Sequence, residues 1–458
     1  MTTTDTDTRT QTATGPGHAP SVGEAPDGFD PARLPADIEL IDLSDPDYRE
    51  HAFERYEAMR AKCPVSRAIV TSSENGGNEQ GFLNRPLWLV TDYEEGSRAL
   101  LDQAITVDMA SVLTPEQLAQ MPETPAEFQP LRRNILTVDP PEHTRLRKLV
   151  QPSFTASTIE KLRPRIQQIT DELLDAAEAA ATERGERAPD RTMELISRFS
   201  YPLPITVICE MLGIPPEDRE QTRLWSEDLL SAQSPERMEE IGRNIGEFIA
   251  YLRDLFAQKR ESPGDDLISR LLQVEVEGDR LTEDEILAMV FILFVAGHIT
   301  TVNLIANGVF ALLTNPEQAE KLRGDGSLVP NAVEEVLRYY GPAETTTPRI
   351  AREDVELGGQ AIAKGEPLLV VLAAADRDPA RFSHPREFDI TREDANRHIA
   401  FGKGIHVCLG APLARLEGQI ALETLFRRYP DFRLAVPASE IIWAPSFLRS
   451  LTGLPLLF

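Results

Sequence analysis

The chain has 458 residues, long enough to bury a large core without disulfide staples. Its net charge of -27, from 74 acidic against 47 basic residues, argues against general binding to nucleic acid or anionic membrane, because phosphate attraction needs a basic face. The three cysteines are far apart, odd in number and match no zinc spacing, which argues against a disulfide framework and for a reducing cytoplasm.

Residues 1–36 include "MTTTDTDTRTQTATGPGHAPSVGEAPDG", rich in Thr, Gly and Pro, with neither an apolar core nor a basic start. They read as a disordered tail and not as a signal peptide or membrane anchor. Residues 37–458 read as one domain, since they contain no internal repeat and no linker long enough to divide them. "DYREHAFERYEAMRAKCPV" has helical spacing that puts Phe53, Tyr56 and Met59 on one face. "VSRAIV" and "LWLVTD" read as strands either side of the polar insert "TSSENGGNEQ". From about residue 95 to 340 the pattern is mainly helical, broken at Pro140–Pro141, Pro202–Pro204 and Pro215–Pro216. Cys209 lies in an apolar helical run and reads as a small core residue, and Cys63 carries no partner motif.

Between Ile286 and Pro316 there is no Asp, Glu, Lys or Arg. Thr282 and Glu285 form a capping box that opens a helix running to about Leu313, roughly 48 Å long. Polar residues from Gly297 onward interrupt its apolar run, so a buried helix through the middle of a large protein is expected rather than a membrane span. From Arg349 the pattern is mixed: "VELGGQAI" reads as a hairpin turning at Gly358–Gly359, and "PLLVVLAAA" as a buried strand. The expected fold class is mainly α with smaller β regions.

"HIAFGKGIHVCLGAPLARLE", His398 to Glu417, sets Cys408 among glycines just before a helical pattern. Unpaired N–H groups and the dipole of a helix start lower a thiol pKa and keep a thiolate available to a metal. Gly402, Gly404 and Gly410 leave room for a flat ligand near the sulfur, and Phe401 can pack against it. Three other readings are a structural thiol, a nucleophile with His406 as base, and a zinc site using His398 and His406. Axial ligation of haem accounts better for the glycines.

"FGKGIHVCLG" resembles the haem-binding loop of the cytochrome P450 family, and other family signatures follow in order over about residues 37–458. The resemblance is closest to the soluble bacterial branch. It implies haem b with Cys408 as the metal ligand, whose thiolate favours O–O cleavage. "EEVLR" supplies Glu335 and Arg338, which by spacing alone would be a solvated i,i+3 pair. With Arg392 they resemble the family's buried structural triad. "DPPEHTRLRKLV" reads as a helix capped by Asp139 with His143 and Arg147 one turn apart. The resemblance assigns that pair, together with Arg349 and His406, to the haem propionates, as cationic donors in an apolar pocket would suit. His398 reads as structural.

"AGHITT" in the long helix resembles the family's oxygen-activating pattern at Ala296, Gly297, Thr300 and Thr301, but Ile299 occupies the position of the acid that relays protons. Without that acid, protons are expected by ordered water or through His298. The residue-level alternative for Thr300 is a bond back to a helix carbonyl. Met289, Val295, Ile299, Ala343 and Thr345, with the segment 105–135, are the expected substrate lining. The implied activity is monooxygenation of an apolar small molecule such as a macrolide, other polyketide, terpenoid or steroid, by hydroxylation or epoxidation. O2 would be the oxidant, with electrons from NAD(P)H through a separate ferredoxin and ferredoxin reductase. Arg145, Lys148 and Lys403 would contribute docking charge on the cysteine side. A peroxide-driven or oxidative-coupling haem-thiolate enzyme and a haem-based ligand or gas sensor are the alternatives.

Overall fold

The computed structural model describes residues 38–71, 84–119, 126–230, 235–275 and 278–458. The N-terminal tail, the polar insert from residue 72 and part of the expected 105–135 lining lie outside the described residues.

A single helix, Glu283–Thr314, organises the core. The Thr282 hydroxyl accepts from Glu285 N–H while the Glu285 carboxylate accepts from Thr282 N–H, so the capping box read from sequence is present. Its length and composition would suit a membrane span. However, its C-terminal half is packed inside protein, from Thr301 to Leu312 without a break. Gly308 explains part of that packing, because an added Cβ would press within 3.2 Å of Leu422 in the helix Ala411–Arg428. The buried-helix expectation therefore holds for this half. Between Phe291 and Thr300 only Phe294 and His298 are buried, and Ala296 is exposed. An exposed alanine at the middle of a core helix marks an interior opening.

The β regions sit to one side. A six-stranded mixed sheet runs in the order Ile38–Asp42, Val65–Thr71, Pro86–Val90, Pro367–Val370, Arg349–Ala351 and Ile105–Thr106. The two strands expected around the insert pair antiparallel, with Arg67 opposite Trp88. The helix Ala52–Lys62 buries Phe53, Tyr56 and Met59, the face its spacing marked. Gly358 and Gly359 both take positive φ, as the tight turn between Val355–Leu357 and Gln360–Ile362 requires. "PLLVVLAAA" differs from its reading. The strand ends at Val370, and Leu372–Ala375 is a short helix, consistent with the high helix propensity of alanine. Cys209 is fully buried in the largest apolar cluster.

The pair Glu335 and Arg338 is buried, not solvated. Arg338 makes a bidentate contact with Glu335 at 2.7 Å for both bonds, and Arg392 Nε approaches the same carboxylate at 3.2 Å. The remaining guanidinium donors end on carbonyls of Asp376, Pro385 and Glu387 for Arg338, and of Ser383 and His384 for Arg392. One carboxylate and two cations thus fix the irregular chain 383–392 against the helix Val329–Tyr340. Glu335→Gln would leave two buried guanidiniums without an anion, at a cost of about 3–5 kcal/mol. A clear fall in melting temperature and poor recovery of folded protein are expected. An unchanged melting temperature would contradict the account.

Candidate functional site

The cysteine loop is a tight hairpin closed by backbone bonds. Cys408 N–H donates to Phe401 O at 2.9 Å, and Gly402 N–H to Ile399 O at 2.8 Å. Gly402 and Gly404 both have positive φ, and a Cβ on Gly404 would lie 2.8 Å from Leu100 O. Both positions therefore favour glycine for conformation, and Gly404 for space as well. Phe401 is held by the Arg415 guanidinium, 4.6 Å from its ring centroid. His398 is structural, as expected: its Nε2 lies 3.1 Å from Glu334, which also receives two bonds from Arg415.

Cys408 precedes the helix Ala411–Arg428 and receives hydrogen bonds from the Gly410 and Ala411 N–H groups. It keeps exposed surface, but protein encloses it, so that surface opens onto an interior cleft. Burial raises its thiol pKa, and this outweighs the N–H groups and the nearby Arg147 and Arg415 charges. The Gly410 and Ala411 N–H groups thus act in the expected direction without outweighing burial. A metal cation bound to the sulfur would offset that burial penalty.

Beside the loop lies a cluster of buried cationic and imidazole groups. The His143 and His406 rings are 4.4 Å apart. Arg349 and His143 are both buried. His143 Nε2, Arg349 Nε and His406 Nδ1 are all buried with no hydrogen-bond partner among the described residues. Burial first, then the neighbouring His406 and Arg147 charges, hold His143 down to about 4. Burial likewise lowers Arg349, against the attraction of Asp139. Orphaned polar atoms in one buried cluster need an outside partner. A ligand carrying carboxylates beside a flat body meets that need, so the residues fit haem and its propionates. Arg147 differs in that its Nη1 donates to Val407 O at 2.8 Å, so it also braces the cysteine loop.

Sequence reading misassigned Asp139. Its side chain does not cap the helix Glu142–Val150, whose N-cap is Pro141. Instead it lies 2.8 Å from His406 Nε2 and accepts from Arg352 at 2.9 Å and from Thr106. Burial would raise its carboxyl, but His406, Thr106 and Arg352 hold it at about 2. Asp139 and Arg352 fix the imidazole of His406, and only the fold brings them together.

Across the cleft, the open face of the central helix is a stripe of Ile292, Val295, Ala296, Ile299 and Thr300 at helical spacing. Thr300 Oγ1 donates to Ala296 O at 3.0 Å and Thr301 Oγ1 to Gly297 O at 3.3 Å. Thr301 is buried. Gly297 faces Ile208 of the helix Pro202–Leu212, which a Cβ would meet at an ordinary contact distance of 3.4 Å, and the exposed Ala296 lines the opening. Met289 is a correction: it shares the stripe but lies two turns earlier, 1 % exposed in the main core. Ala343 bridges Leu448 in the C-terminal segment, and Thr345 borders a small void with Tyr56, Leu89 and Phe447. His298 lies on the opposite face, buried against Tyr201 and Phe294, with its Nδ1 2.7 Å from Phe294 O. Burial holds it down to about 4. It is turned away from the cleft, which removes it as a proton route.

The family model for "Cytochrome P450" matches residues 108–441. The chain belongs to the cytochrome P450 family. It is 43% identical over 412 residues to the monooxygenase PikC of Streptomyces venezuelae, covering 90% of this chain and 92% of that one. It is 40% identical over 422 residues to the 6-deoxyerythronolide B hydroxylase of Saccharopolyspora erythraea, covering 90% and 98%. Its fold is similar to that of the Bacillus subtilis polyketide synthase P450 PksS, with a TM-score of 0.79 at 36% identity over 91% and 98% of the two chains. This P450 is accordingly a haem-thiolate monooxygenase carrying haem b, with an apolar substrate and separate redox partners.

Arg145 is not a free docking charge in this P450. It pairs with Glu285 and, at 3.4 Å, with Asp279, at the start of the central helix. The Lys403 ammonium lies 5.7 Å from the Tyr93 ring centroid. Asp376 was not singled out from sequence either. It is buried and accepts from Ile399 N–H at 2.7 Å, at the entry to the cysteine loop. Burial lifts its carboxyl to about 7, against the His398 charge, the Ile399 bond and the Arg338 charge. The folded chain therefore holds this proton more tightly than the unfolded chain. The group's stabilising contribution is full below the ordinary carboxylate pKa and is lost as pH rises through about 7. Asp376→Asn keeps the acceptor and removes the titration. Relative to the parent it should gain roughly 2 kcal/mol between pH 5 and pH 8, measured by denaturant unfolding. A constant difference across that range would refute the assignment.

Proposed function

We propose that this P450 hydroxylates or epoxidises a macrolide- or polyketide-like secondary metabolite, with Cys408 as the axial ligand of its haem. The observation that carries the reading is the enclosed sulfur of Cys408 in its glycine loop, beside a buried cluster of orphaned donors. Haem with a thiolate ligand supplies the centre at which O2 is reduced and one oxygen atom is transferred. The chain's own residues do the rest. His143, Arg349 and His406 hold the propionates, with His406 oriented by Asp139. Arg147 braces the loop through Val407 O. Ala296 leaves space for dioxygen, and Thr300, whose proton goes to Ala296 O, keeps its oxygen free to accept a bond from water. Ile292, Val295 and Ile299 offer an apolar wall to the substrate. Relatives named for 6-deoxyerythronolide B and mycinamicin IV support the substrate class.

Residues 37–458 act as one catalytic domain in the cytoplasm, where NAD(P)H is available. Electrons arrive from NAD(P)H through a ferredoxin reductase and a ferredoxin that docks on the cysteine side. Ile405 and Val407 are exposed there, and they join Lys148 and Lys403 in the surface offered. Ile299 favours a second reading, turnover driven by hydrogen peroxide, because an isoleucine cannot relay protons.

The reduced protein under carbon monoxide should show the red-shifted absorption of sulfur-bound haem, and Cys408→Ser should lose both that band and turnover. Retained turnover would sink the assignment. NAD(P)H with a surrogate ferredoxin chain should oxidise a macrolide or polyketide chosen by binding spectra, whereas activity with peroxide alone would decide for the second reading. Ile299→Glu should alter the peroxide leak by no more than about twofold. Creation of activity from an inert parent would show that the chain lacks its own proton route.

A further inference from the structure

We infer that the buried pair Arg49–Glu344 fixes the position of residues 343–347 and thereby sets how well the cleft accepts a bulky ligand. The inference rests on the haem-thiolate reading and deepens it. The sequence marked Ala343 and Thr345 as lining and passed over the residue between them. Glu344 is 1 % exposed. Its carboxylate accepts from Arg49 Nη1 at 2.8 Å and from the Tyr56 hydroxyl at 3.0 Å. Those donors stand on the helices Pro46–Glu50 and Ala52–Lys62, 295 and 288 residues earlier in the chain.

Arg49 reaches a second strand as well, since its Nη2 donates to Leu448 O at 3.4 Å. Leu448 bridges Ala343. On either side of that bridge, Arg449 N–H donates to Pro342 O at 2.8 Å and Glu344 N–H to Phe447 O at 3.1 Å. One guanidinium therefore clamps both the lining segment and the C-terminal segment that backs it. A second buried cation, Arg449, completes the cluster. Its Nη1 donates to Arg49 O at 3.2 Å, and its guanidinium lies 3.9 Å from the Trp443 ring centroid and 4.7 Å from that of Phe53. Ring faces thus share the surplus positive charge, and the Glu344 carboxylate stays with Arg49.

Replacing a buried ion pair by apolar residues of the same size is often neutral for stability, so stability alone does not account for this one. Charge-assisted bonds add direction. Direction matters here because a small void lined by Tyr56, Glu344, Thr345 and Phe447 borders the segment and leaves it room to shift under packing alone. Five residues beyond Glu344 the chain reaches Arg349, in the cluster that fits the propionates. Extended chain of that length spans at most about 18 Å, so residues 343–347 form a wall close to the haem. A wall fixed in advance needs no ordering when a bulky ligand enters, whereas a loose one does. A ligand too small to touch the wall is indifferent to it. Arg49 and Glu344 are therefore positioning residues.

Azole binding to the haem-loaded protein, followed by absorption spectra, tests this with a large and a small ligand of the same chemistry. The triple variant Arg49→Met, Glu344→Met, Tyr56→Phe removes the pair and the hydroxyl together. It should melt close to the parent and keep the carbon monoxide band of sulfur-bound haem. Its dissociation constant for a triphenylmethyl imidazole should rise about fivefold or more, while that for imidazole itself stays within about twofold. A triphenylmethyl imidazole bound within about twofold of the parent, or more tightly, overturns the inference. Equal weakening of both azoles, the mark of a general loss of structure, overturns it too. Arg49→Lys keeps the charge but replaces the planar fork by an ammonium, so the same split, of about threefold, is expected there. That variant decides the matter if the triple does not fold, and an unchanged constant for the large azole in it sinks the inference. A parent that binds neither azole contradicts the haem-thiolate reading instead.

Discussion

A sulfur enclosed by protein at position 408 is the constraint on which the site depends. Burial opposes its ionisation more strongly than two backbone N–H groups and two nearby guanidiniums favour it. A metal cation bound to the sulfur offsets that burial penalty, so haem binding favours the charged form. The loop around it is built for that event. Positive φ at Gly402 and Gly404 turns the chain, close contact with Leu100 O excludes any side chain at Gly404, and the Cys408–Phe401 backbone bond closes the hairpin.

Charge balance elsewhere in the molecule follows two opposite rules. Around Glu335 every guanidinium donor that is named ends on a carboxylate or carbonyl, and the result is rigid structure. Around His143, Arg349 and His406 the balance is deliberately incomplete, with buried polar atoms left for a ligand. The same distinction runs along the central helix. Its C-terminal half is packed on all sides, while the stretch from Phe291 to Thr300 faces an opening.

Much of this was legible in the chain. The capping box at Thr282, the glycine turn at Gly358–Gly359, the face of Phe53, Tyr56 and Met59, and the cysteine loop all rest on neighbours within a few residues. What escaped depends on distant partners. Asp139 looked like a helix cap because the local rule for Asp before proline is strong, yet His406, Arg352 and Thr106 claim its carboxylate. Met289 has the right spacing for the groove, but spacing cannot say where along a helix its cover ends.

Local sequence determined the ligand, the loop that presents it and the long helix opposite, because backbone conformation and short-range spacing decide each of them. Tertiary structure decided which charges are paired and which stay available. It buried Glu335 with two arginines, turned His298 away from the cleft, tied Arg145 to the helix start and left His143 Nε2 without a partner among the described residues. The physical reason is that hydrogen-bond satisfaction and desolvation are sums over everything within a few ångströms, and those neighbours come from segments hundreds of residues apart.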